Sequence, residues 1–191
     1  MAESNNSAPE DHLDTTEEAF FSGKRPWSKI KDQVLRTYLP AYLAKVARLN
    51  RKIVLIDAFA GPGRFDDGEA GSPLIICAAA EKIVADRYLA VFVNRNEGYH
   101  QQLKEALKIY VDRKSALPIL GNAKSLLSAL RNVFTNQTVF LYLDPFGLKG
   151  CEFSAIEPFL RRDKRYSTEV VINLSVPTMH RLAARKAVAE G

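Results

Sequence analysis

Short apolar runs, rich in β-branched and aromatic residues, recur along this chain, and each gives way to a stretch with helical spacing. They are IVLID at Ile53–Asp57, LAVFV at Leu89–Val93, LPIL at Leu117–Leu120, VFLYL at Val139–Leu143 and VVINL at Val170–Leu174. Most lack the polar alternation of a strand with one wet face, so they suit strands buried on both sides. Helical patterns fall between them, at 73–85, 97–112, 123–134 and 152–160. Alternating strand and helix predicts an α/β fold, a mostly parallel sheet with helices on both faces. In such a sheet ligands gather at the carboxyl ends of the strands, where the strand order reverses.

The residues suited to chemistry fall at those ends. Asp57-Ala58-Phe59-Ala60-Gly61-Pro62-Gly63 follows the first run, Asn94 the second, Asn122 the third and Asp144-Pro145-Phe146-Gly147 the fourth. Glycine lets a backbone approach a ligand closely. The first loop lacks the Gly-Lys-Ser/Thr ending of a phosphate loop and the full spacing of a dinucleotide site. The fourth loop sets an acid, a rigid proline and an aromatic ring in succession at a strand end, and an acid after a fully apolar strand must face a cleft or solvent. Read blandly, both loops are turns, since Pro and Gly make turns anyway.

Ahead of the first strand, residues 27–49 have helical apolar spacing. Ser28 is placed as N-cap, and Pro40 predicts two helices or a kink. Trp27, Tyr38 and Tyr42 lie in that pattern and are expected to pack into the core. His100 is expected on a helix surface, and Ser72 in Gly71-Ser72-Pro73 as an N-cap.

Charge is uneven. The formal net charge is +5, but residues 1–18 hold six acids and no Lys or Arg. Without them the body carries 27 basic and 16 acidic residues, or +11, with nine bases and one acid, Asp32, in residues 24–52. A basic body suggests a polyanionic partner, nucleic acid first; a solvated charged surface is the plainer alternative. The predicted organisation is an acidic, disordered tail over 1–22 and one domain over 23–191. That domain has basic helices at 27–49, a core at 53–176 and a basic helix at 179–189.

No apolar run approaches the length of a membrane span, and residues 1–18 have neither the basic nor the apolar region of a signal peptide. Cys77 and Cys151 have no metal-ligand spacing, and no metal site is expected. A reducing, cytoplasmic location fits these features.

Asp57-x-Phe59-Ala60-Gly61-x-Gly63 resembles the first motif of class I S-adenosylmethionine-dependent methyltransferases. The wider set is closer to the three-Cys-motif partner protein (TcmP) family. It comprises Lys31 and Tyr38-Leu39 in the leading helix, Ile56–Gly63, Gly71-Ser72-Pro73, Leu143–Gly147 and Glu169–Asn173. The resemblance spans about residues 24–181. It implies a Rossmann-like class I methyltransferase sandwich, here stopping after the fifth of the usual seven strands. It implies S-adenosylmethionine held by Asp57, Phe59, Ala60, Gly61 and Gly63, with Asn94 and Asn122 at the ribose and adenine ends. It places Asp144, Pro145, Phe146 and Gly147 beside the transferred methyl, and Asn173 and Arg181 near the substrate. Asn94 and Asn122 stand where such enzymes usually carry acids, and a neutral amide forms the weaker bond.

Two functions follow from these residues. One is methyl transfer to a base nitrogen of RNA or DNA. The other is a non-catalytic methyltransferase-like module that works with a three-Cys-motif protein or nucleic acid.

Overall fold

The computed structural model describes residues 26–145 and 152–174. The expected tail over 1–22, the helix over 179–189, and Phe146, Gly147, Cys151 and Arg181 lie outside these residues. The elements are α1 (Pro26–Ala47), β1 (Ile53–Asp57), α2 (Ser72–Val84), a short 3-10 turn (Ala85–Arg87), β2 (Tyr88–Asn94), α3 (Glu97–Ala106), α4 (Lys108–Asp112), β3 (Ala116–Leu120), α5 (Ala123–Val133), β4 (Thr138–Leu143), α6 (Phe153–Leu160) and β5 (Thr168–Ile172). Among the described residues the strands form one parallel sheet, ordered β3-β2-β1-β4-β5. The fold is α/β and Rossmann-like, as the alternation of runs predicts.

β1 and β4 are buried along their whole length because both faces are covered. Successive side chains point to opposite faces, so each strand feeds two cores. On one face Leu55, Phe92 and Phe140 pack with Leu35 and Leu39 of α1, Ile76 of α2 and Leu103 of α3. On the other, Val54, Ile56 and Leu141 pack with Leu127 and Leu130 of α5 and Ile156 and Phe159 of α6. The chain runs outward from β1 to β3, then returns past β1 to β4. The strand order therefore reverses between β1 and β4, and the sheet's crevice opens at their carboxyl ends.

Four expectations are corrected. α1 runs unbroken through Pro40. A proline inside a helix costs about 3 kcal/mol. Leu35, Leu39, Leu43 and Val46 are all almost fully buried on one face of α1, and each contributes about 1.5–3 kcal/mol, so packing outweighs the break. Ser28 is a buried residue inside this helix rather than its cap. The expected helix over 97–112 is two, divided at Leu107, whose backbone leaves the helical region while its side chain is fully buried. β5 lies two residues earlier than expected, so Asn173 follows the strand.

No helix among the described residues is long and apolar enough to cross a membrane.

Candidate active site

Asp57 closes β1 and shares a sheet face with Leu55, the face covered by α1 and α2. Its carboxylate is completely buried. Oδ1 accepts from the Phe59 amide at 3.1 Å, and Oδ2 accepts from Ser72 Oγ at 2.7 Å. Ser72 is thus the first residue of α2, with Gly71 at the cap position. Its hydroxyl fastens the helix start to the end of β1 instead of capping the helix. Burial pushes Asp57 up to about 7; the two hydrogen bonds oppose that, the nearby Asp144 charge adds to it, and Lys31 opposes it.

The first loop continues the sheet before it turns. Ala58 N–H donates to the Tyr142 carbonyl and Ala60 N–H to the Val93 carbonyl. Asn94 is only 7% exposed and secures this path. Its Nδ2 donates to the Ala60 carbonyl at 2.5 Å, and its Oδ1 accepts from the Asn96 amide at 2.7 Å. Gly63 is required for two reasons. Its φ is +89°, and a Cβ there would stand 2.8 Å from Ala106 Cβ on α3. Gly63 therefore seats the loop against a helix. Phe59 and Gly61 remain partly exposed. Asn122 caps α5, its side chain accepting from the Lys124 amide at 2.9 Å.

On β4, Tyr142 is the register partner of Asp57. Its ring is buried and its hydroxyl accepts from Asn173 Nδ2 at 2.7 Å. Burial and the charges of Asp144, Asp57 and Asp32 raise its pKa, which keeps the phenol neutral. Asp144 comes two residues later and projects toward the same face. Lys31 Nζ, from the second turn of α1, lies 2.5 Å from Asp144 Oδ2, with each side chain 26% exposed. Burial raises the Asp144 pKa, and Lys31 works against that rise.

The structure thus brings Asp57, Asp144 and Asn173 together at the ends of β1, β4 and β5, at the switch point. It adds Lys31, Ser72 and Tyr142, to which sequence reasoning gave no chemical role. Lys31 and Asp144 are 113 residues apart, and no local pattern signals their meeting. Asn94 lies across β1 from that group, and Asn122 stands farther out, at the β3 edge.

Three expectations for neighbouring residues change. Tyr42 packs into the core against Phe140, but Trp27 is 49% exposed and Tyr38 41%. The Tyr38 hydroxyl donates to Glu169 Oε1 at 2.5 Å, tying α1 to β5. His100 is buried rather than on the surface. The basic residues Lys29, Arg36 and Lys45 on α1, and Arg48 just after it, are exposed. Among the described residues no cluster of His, Cys, Asp or Glu could hold a metal ion.

No family model and no curated protein matches the chain. Solved structures do. The putative methyltransferase yhhF of Escherichia coli is 17% identical at a TM-score of 0.48, covering 81% of this chain and 73% of that one. A methyltransferase of Geobacter sulfurreducens is 9% identical at 0.43, covering 84% and 75%. The precorrin-6Y C5,15-methyltransferase of Geobacter metallireducens is 18% identical at 0.43, covering 76% and 65%. At these values the likenesses carry no weight in assigning an activity.

Proposed function

We propose that the chain is an S-adenosylmethionine-dependent methyltransferase-like protein of the TcmP type, acting on nucleic acid at a base nitrogen. The observation that carries this reading is the pair of carboxylates at the switch point. Asp57 is sealed and holds the first loop in place. Asp144, one strand over, is partly exposed and held by Lys31. A site for in-line transfer needs a rigid seat for the methyl donor beside an acceptor for the nucleophile's N–H, because positioning supplies much of the catalysis.

The residues around the first loop fit the cofactor only in part. The Asp57 carboxylate and the Asn94 amide are engaged with the protein's own backbone and Ser72, so they build the seat rather than touch its occupant. The partly exposed Phe59 and Gly61, together with Asn122, are the groups left to face it. When bound, S-adenosylmethionine would supply an electrophilic methyl group. Asp144 would accept an amine N–H and orient the nitrogen lone pair, with the Pro145 carbonyl as a second acceptor. Phe146 would stack on the base, and Asn173 and Arg181 would border the substrate. The exposed bases of α1 would meet backbone phosphates.

The test is transfer of a labelled methyl group from S-adenosylmethionine to unmethylated RNA and to duplex DNA. We expect label on a base nitrogen, reduced about a hundredfold or more in Asp144→Ala. Transfer to neither polymer contradicts the reading.

A second reading has its own support, because Asp57 and Asn94 are already committed to internal hydrogen bonds. In it the domain is a non-catalytic module that binds nucleic acid or a three-Cys-motif protein. Where the partner is nucleic acid, it requires polyanion binding with a steep salt dependence and no cofactor requirement. Filter binding across a salt series, with and without S-adenosylhomocysteine, separates the two readings.

A further inference from the structure

Lys31 is the least expected member of the site. It lies on α1, which also provides much of the core on this face, and its ammonium reaches across the crevice to the end of β4. We propose that Lys31 is a positioning residue: its ion pair fixes the rotamer of Asp144 and keeps that carboxylate ionised, ready to accept an N–H donor. This rests on the methyltransferase-like reading for its purpose, but not for its geometry.

The surroundings explain why such a residue is needed. Asp144 is faced by Lys31 and Asp32 from α1, by Asp57 from β1 and by the Tyr142 ring of β4, two residues before it, with Asn173 of the β5 end on the Tyr142 hydroxyl. Ser72 of α2 completes the group through Asp57. Carboxylates gathered in a partly buried crevice oppose one another's ionisation, and a neutral, protonated Asp144 would present a donor where an acceptor is wanted. The resident cation works against that conflict, opposing the rise that burial and Asp32 impose on Asp144. It engages Oδ2, so Oδ1 is the oxygen an incoming amine would meet. A ligand bringing phosphate or carboxylate to this position would meet net negative charge, whereas an amine or a sulfonium would not. By favouring the ionised form of Asp144, Lys31 therefore also biases the site toward N–H donors.

The experiment is a pH titration of aspartate carboxyl carbons by NMR on the full chain, comparing wild type, Lys31→Met and Lys31→Arg. Asp144→Asn assigns the signal, and amide dispersion confirms that each variant is folded. Losing an opposite charge at contact distance moves a carboxylate by about one to three units. We expect the Asp144 midpoint to rise by that much in Lys31→Met and to return in Lys31→Arg. An unchanged midpoint in folded Lys31→Met overturns the proposal, as does failure of Lys31→Arg to restore it. Calorimetry with S-adenosylmethionine on the same samples keeps the two readings apart. Absent binding with a shifted midpoint removes the methyltransferase reading and leaves Lys31 as the setter of Asp144. Binding with an unshifted midpoint does the reverse.

Discussion

Ser72 Oγ donates to Asp57 Oδ2 at 2.7 Å, joining the first turn of α2 to the end of β1. The bond spans the whole first loop, so the loop's two ends are held at one carboxylate. That carboxylate is fully buried, and burial pushes its pKa up to about 7.

Stability should therefore depend on the protonation of Asp57. Its pKa in the folded protein lies above the unfolded value, so the folded state holds the proton more tightly. The stabilisation is complete below about pH 4 and is lost as pH rises toward 7. The full effect is on the order of 4 kcal/mol. Asp57→Asn can keep both contacts, with its amide nitrogen donating to Ser72 Oγ and its oxygen accepting from Phe59. Urea unfolding across that pH range should show a falling wild-type stability and a much flatter Asp57→Asn curve. Parallel curves would contradict the assignment.

Gly63 and Gly68 make a matched pair. Both have positive φ, but only Gly63 would bring a Cβ against a neighbour, Ala106 Cβ at 2.8 Å. We expect Gly68→Ala to cost about 1 kcal/mol, the backbone effect alone. Gly63→Ala should cost about 2–4 kcal/mol, since overpacking adds to the backbone effect. Ala106→Gly should recover the packing part in the Gly63→Ala background. Thermal unfolding of the three variants checks the set, and equal losses at the two glycines would refute the close approach to α3.

Asn94→Asp separates two roles for that position. A group meant for ribose hydroxyls would bind better as a carboxylate. A fastener of the loop would fail, because aspartate has no N–H for the Ala60 carbonyl. We expect a loss of about 1–3 kcal/mol in stability, with no gain in affinity for S-adenosylhomocysteine. A variant of undiminished stability that binds the nucleoside more tightly would restore the ribose role.

Much of the fold was legible because the apolar runs of β1 and β4 have no wet face and so had to lie inside a parallel sheet. The corrections come where tertiary packing overrides local signals. Pro40 reads as a break, yet the buried stripe of α1 carries the helix through it. Leu107 reads as mid-helix, yet its burial bends the chain there. At the site, position along the strands placed Asp57, Asn94 and Asp144 at the sheet's carboxyl edge. It did not show that Asn94 spends its amide on the loop, or that Ser72 serves Asp57. Those bonds follow from loop geometry, and the Lys31 contact with Asp144 from how α1 crosses the sheet.

The central claim is that the crevice between β1 and β4 seats S-adenosylmethionine. Isothermal titration of the full chain with S-adenosylmethionine and S-adenosylhomocysteine tests it most directly. The account predicts saturable one-site binding of both nucleosides, abolished in Gly61→Arg, which would fill the exposed part of the loop. No detectable binding at millimolar ligand, or binding unaffected by Gly61→Arg, would contradict it.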